Sequence, residues 1–192
     1  AIVDQSGSQD LRLSVPAGIY SEDRLDYRGV DVLLNCGAAL PKELTGTSHS
    51  VVLLDYGVNN KALEMPGELK ALFIVTDSQR HHAVPLASFL ARLPFSPDSI
   101  RIIRDIVPGK IRPRYVDSLL QAAQYTNLLA KYDFPFDEAE YGQRIVSQYD
   151  DIFHFSRIPE SFKNMLLDVV IELLGYDRKA AVKALKKAQH GG

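Results

Sequence analysis

Ser50-Val51-Val52-Leu53-Leu54-Asp55-Tyr56-Gly57 and Ala71-Leu72-Phe73-Ile74-Val75-Thr76-Asp77 carry the clearest strand signal in the chain. Each is a short apolar run, rich in β-branched residues and closed by an aspartate. Runs of this kind suit strands covered on both faces, as in a parallel sheet with helices on either side. Working outward, Ala1–Asp4, Val30–Leu34 and Ile100–Ile106 read as further strands, and Leu11–Val15 as another. Helical spacing appears at His81–Leu93, where Pro85 is expected in the first turn, and at Arg114–Tyr132. In Ser161–Leu174, Phe162, Met165, Leu166, Val169, Val170, Leu173 and Leu174 follow the i, i+3, i+4 rule. Pro159 precedes that helix, Ser161 is its expected cap and Gly175 its expected end. A last helix, Arg178–Ala188, follows Asp177, a good N-cap. Strands alternating with helices predict an α/β fold with a mostly parallel sheet. The expected division is an α/β domain over 1–175 and a C-terminal helical appendage over 176–192.

Composition narrows the function classes. The 192 residues carry 22 Lys and Arg against 24 Asp and Glu, a net charge of −2. A dedicated nucleic-acid binder usually shows a basic excess. The hydrophobic fraction of 46% and charged fraction of 24% exclude a disordered or collagen-like chain. The single cysteine, Cys36, permits no internal disulfide and no cysteine-built zinc site. It reads as a packing residue and fits a reducing, cytoplasmic setting. No apolar run approaches the roughly 20 residues of a membrane span, and no secretory signal is visible. The chain opens on Ala1 without a Met, which reads as processing or as an excerpt of something longer.

In a parallel sheet, ligands bind at the carboxyl ends of the strands. Asp4, Asp55, Thr76 and Asp77 stand at such ends, and carboxylates with a hydroxyl can hold Mg²⁺ through oxygen and water. The plainer reading is that polar residues mark where strands leave the core. His81 and His82 are adjacent and diverge on a helix, while His49, His154 and His190 lack ligand spacing. Asp137, Glu138 and Glu140 read as a helix first turn favoured by the dipole. Lys179, Lys183, Lys186 and Lys187 fall on one helical face, opposite Ala181, Val182, Leu185 and Ala188. Such a face can touch an anionic membrane or DNA, or simply be solvated. Lys110, Arg112 and Arg114 form a second basic spot.

The order of these segments resembles the MinD/ParA group of P-loop ATPases. Ser50–Gly57 looks like the Walker B strand, Leu72–Gln79 like the next core strand, and Asp133-Phe134-Pro135-Phe136-Asp137 like a late Pro-containing strand. Ser161–Gly175 resembles the closing amphipathic helix. The resemblance implies a Rossmann-like, P-loop-NTPase-like fold, with Asp55 as a Walker B carboxylate and ATP or ADP with Mg²⁺ as the cofactors. It departs from the family in the phosphate loop: no G-x-x-x-x-G-K-[ST] occurs, and Pro108-Gly109-Lys110 lacks the leading Gly and the Ser/Thr. Ser6 stands where the family's acidic motif places a second Asp. ATP hydrolysis by this chain alone is therefore not expected. The leading expectation is a non-catalytic scaffold for localisation or assembly, acting through a protein partner or a second copy. The rivals are an ATP switch whose P-loop lies outside the chain, and an atypical receiver-like domain using Asp4, Asp55, Thr76 and Lys110.

Overall fold

The computed structural model describes residues 1–8, 10–15, 23–27, 29–36, 44, 49–58, 69–150 and 155–191. The chain divides into two compact units, Ala1–Pro66 with Ser147–Ile152 and Gly67–Val146 with Phe153–Gly192.

The first unit is built on a four-stranded sheet, sheet A, in the order β2-β3-β1-β4. Its strands are β1 (Ile2–Asp4), β2 (Arg24–Tyr27), β3 (Val30–Leu33) and β4 (Leu53–Asp55), with a short helix α1 (Asp10–Ser14) after β1. β1 runs parallel to both β3 and β4, whereas β2 pairs antiparallel with β3. Val3, Val32, Leu33 and Leu34 are buried and form the apolar centre of this sheet. The expected strand at Leu11–Val15 is instead α1 and the residue after it. Its i, i+2, i+4 apolar spacing does not by itself separate a strand from one helical turn.

The second unit holds sheet B, three parallel strands in the order β5-β6-β7. They are β5 (Leu72–Thr76), β6 (Asp98–Ile106) and β7 (Asn127–Pro135). Helix α2 (Arg80–Leu90) connects β5 to β6; α3 (Pro113–Leu120) and α4 (Ala122–Tyr125) connect β6 to β7. Helix α5 (Glu138–Tyr149) follows β7, then a 3-10 turn (Phe155–Arg157), α6 (Glu160–Asp168) and α7 (Arg178–Gly191). Ile100 and Ile102 of β6 and Phe134 of β7 pack on Met165, Phe162 and Leu166 of α6. The intervening β6 residue Arg101 points the other way, toward α3. It is 2% exposed, donates to the Tyr132 carbonyl at 3.0 Å, and pairs with Asp117 of α3 at 3.0 Å and with Asp133 of β7. One guanidinium thus joins three elements.

Four further expectations change. The two apolar runs are not covered on both faces: Leu53 is 51% and Val75 52% exposed, because β4 and β5 each stand at the edge of their own sheet. The single long helix expected over Arg114–Tyr132 ends at Leu120, where Gln121 turns left-handed at φ 48°. Leu128, Leu129 and Tyr132 then belong to β7, where pairing with β6 outweighs helical spacing. Pro85 lies inside α2, past the first turn; the carbonyl of His81, which its missing N–H would have met, is on an exposed residue. Pro159, not Ser161, occupies the N-cap of α6. The segment Val169–Leu173 widens into a π turn, with the Leu174 N–H reaching the Val169 carbonyl at 3.1 Å. Asp177 caps α7 as expected, accepting the Ala180 N–H at 2.9 Å. No helix among the described residues is long and apolar enough to cross a membrane.

Candidate functional site

In sheet A the parallel strands β3, β1 and β4 deliver their carboxyl ends side by side. Asp4 and Asp55 close adjacent strands and are register partners. The backbone ties this edge together: the Gln5 N–H donates to the Asp55 carbonyl at 2.8 Å, and the Cys36 N–H to the Asp4 carbonyl at 2.9 Å.

Asp4 is 1% exposed. Its Oδ1 accepts the Ser6 N–H at 3.0 Å and the Ser6 hydroxyl at 2.7 Å. Gly7, at φ 70°, turns the chain there. The Ser8 hydroxyl then lies 3.0 Å from that of Ser6, whose oxygen also accepts the Ser8 N–H at 3.1 Å. The other carboxylate oxygen of Asp4, Oδ2, is buried without a hydrogen-bond partner. Leaving a carboxylate oxygen dry and unpaired is costly, so this atom calls for a positive partner. Asp55 is exposed, and its Oδ1 accepts the Gly57 N–H at 3.0 Å. Gly57 has φ +55°, and a Cβ there would stand 2.9 Å from the Ser6 Cβ, so the loops after β1 and β4 touch through a position only glycine fits. Tyr56, next to Asp55, is buried, and burial pushes its phenol above the ordinary value.

The donors here are hard oxygens: one buried carboxylate, two hydroxyls and a neighbouring aspartate. Among the described residues no group of three or more His, Cys, Asp or Glu gathers to hold a metal. That leaves no zinc or carboxylate-caged calcium centre among them. These are the donor types Mg²⁺ takes, one or two carboxylates with water completing its shell.

Thr76 and Asp77 belong to the second unit, at the end of β5. Asp77 Oδ1 accepts the Gln79 N–H at 2.7 Å, and Oδ2 accepts Gln79 Nε2 at 3.2 Å and lies 2.8 Å from His82 Nδ1. Both oxygens therefore serve the start of α2. Thr76 is buried and its hydroxyl reaches the Asp77 carbonyl at 3.4 Å. His81 and His82 lie ring to ring at 4.0 Å, with His82 turned to Asp77. His49 Nε2 lies 2.9 Å from Asp31 Oδ2. His154 falls outside the described residues, and so does the side chain of His190.

The basic residues of the two expected contact patches are surface groups. Lys110 and Arg112 are exposed before α3, and the Arg114 guanidinium lies 5.3 Å from the Tyr115 ring centroid. Lys179, Lys183 and Lys186 line a shallow groove on α7 with Arg178 and Val182, and Lys187 is exposed beyond them. Ala181, on the opposite face of α7, is buried. Sequence reasoning singled out Asp4 and Asp55 but passed over Ser8 and Gly57. The alternation Asp4-x-Ser6-x-Ser8 was the available signal: oxygen side chains at every second position where a strand ends.

Fold and site together define an α/β protein with two sheets and an oxygen-lined carboxyl edge on the first. The chain matches no protein-family model, no curated protein and no solved structure.

Proposed function

We propose that this chain is a non-catalytic, MinD/ParA-like binding module that positions a protein partner, with the carboxyl edge of sheet A holding a hydrated Mg²⁺. The observation that carries the cation is the buried Asp4 oxygen without a partner, beside the hydroxyls of Ser6 and Ser8. Mg²⁺ beside one carboxylate and two neutral hydroxyls keeps positive charge and exchangeable water positions. An acidic side chain of a partner can take such a position.

Nucleotide chemistry has less support at this edge. A triphosphate needs cationic side chains or a glycine-rich cradle. Arg12 and Arg24 of the same unit are paired with Asp23 and Asp31 at 3.6 and 2.9 Å. The switch reading keeps Asp55 at the end of β4 in its favour.

Calorimetric titration separates the two. MgCl₂ is expected to bind saturably, and Asp4→Asn to abolish the heat. ATP added with Mg²⁺ is expected to add nothing. Saturable ATP binding lost in a folded Asp55→Ala variant would put the switch reading first. A folded chain that takes up no Mg²⁺ would overturn the cation edge.

A further inference from the structure

The carboxyl end of sheet B carries a second constellation, independent of the Asp4 edge. The pairing of β6 with β7 slips between Ile103 and Ile106, and within that slip Asp105 adopts φ 54°. A bulge of this kind re-aims the side chains it contains, and a strained non-glycine residue at a strand end is a common companion of binding sites. Here the re-aimed pair is Arg104 and Asp105. Arg104 donates to Glu140 Oε1 at 2.6 Å, with its guanidinium 5.3 Å from the Phe162 ring centroid. Asp105 receives Arg144 on both oxygens at 3.2 Å, and Arg144 in turn lies 3.2 Å from Glu140 and 5.3 Å from the Tyr141 ring centroid.

Beside this network opens a cavity of about 190 Å³. At about 30 Å³ per water it has room for roughly six waters, or one long side chain. The rings of Phe134, Phe136 and Phe162 line it, together with Arg104, Asp105, Asp137 and Glu140. Counting Arg144, three carboxylates face two guanidiniums, a net charge of −1. Arg104 and Arg144 answer Glu140 and Asp105. Asp137 Oδ1 accepts the Glu140 N–H at 2.8 Å, and among the described residues no side-chain cation pairs with it. The site already shows what it holds well, since both of its guanidiniums lie against aromatic rings beside a carboxylate.

We propose that this cavity is a docking socket for one lysine or arginine side chain of a protein partner. The aliphatic stem would lie against the phenylalanine rings, and the charge would offset Asp137. A protein donor is favoured over a free small cation because apolar surface continues outward from the cavity. The Phe136 ring lies tilted against Tyr141 at 5.6 Å, and Ile145 follows one turn along α5; all three are exposed.

The test is a ¹H–¹⁵N titration of the whole chain with Nα-acetyl-lysine methylamide, its Nε-acetylated form and butyrate. The charged lysine probe should shift the amides of Phe136, Glu140, Ser161 and Phe162 saturably, and the other two should not. Asp137→Asn keeps an oxygen to cap α5 while removing the charge. It should weaken the lysine probe about two- to fivefold, the range of one exposed ion pair. Equal saturation by lysine and acetyl-lysine would make the cavity an apolar pocket and overturn the proposal. Preferential binding of butyrate, led by Arg104, would overturn it too, as would the absence of saturable shifts in a folded chain.

Discussion

At the scale of single residues, Gly57, Asp31 and Arg101 give the sharpest tests. Gly57→Ala must force a side chain into φ +55° and to within 2.9 Å of the Ser6 Cβ. The left-handed backbone alone costs about 1–2 kcal/mol. The urea midpoint should fall accordingly, and Mg²⁺ uptake should weaken because Ser6 is displaced from Asp4. Asp31 is held below the ordinary carboxylate value by its hydrogen bond from Arg24 and then by that with His49. Its stabilisation is present above the unfolded value and is lost as pH falls through the lower folded one. Urea midpoints should therefore drop on acidification through the carboxylate range, and Asp31→Asn should flatten that part of the profile. Arg101→Met removes the buried guanidinium shared by Asp117 and Asp133. Both carboxylates reach solvent and Lys131 still serves Asp117 at 3.1 Å, so the expected loss is about 1–3 kcal/mol rather than that of a fully buried pair.

At the scale of elements, the helix ends decide what periodicity could not. Helix α2 has no side-chain cap from Gln79; the Asp77 carboxylate, two residues earlier, instead accepts the Gln79 N–H just ahead of the first turn. Asp77→Ala should cost about 1 kcal/mol in urea unfolding, the worth of one lost hydrogen bond, and leave Mg²⁺ uptake unchanged. Gln121 interrupts what reads as one helix because it turns left-handed, which glycine does at lower cost. Gln121→Gly is expected to leave the fold unchanged and raise stability by up to about 1 kcal/mol in urea unfolding. The positions of β1, β3, β5 and β6 were legible to within a residue or two, since short β-branched runs have few other uses. β2 was not, because Arg24-Leu25-Asp26-Tyr27 is half polar and becomes a strand only by pairing with β3.

At the scale of the molecule, cation binding and folding are linked. A ligand that binds only the folded chain stabilises it in proportion to the logarithm of its concentration, by about 2.7 kcal/mol at a hundredfold excess over Kd. Raising MgCl₂ should therefore raise Tm, and Asp4→Asn should remove the dependence while NaCl at equal ionic strength leaves it absent. Hydrophobic periodicity and polar strand exits are local properties, so the α/β class, the parallel strands and the aspartates at their ends could be read along the chain. The remainder came from long-range packing. It set two sheets with exposed edge strands, where local apolarity cannot tell a central strand from an edge. It brought Ser6, Ser8 and Gly57 to Asp4, and Arg101 to Asp117 and Asp133. Those meetings depend on register and loop closure between residues far apart in the chain, which no local pattern encodes.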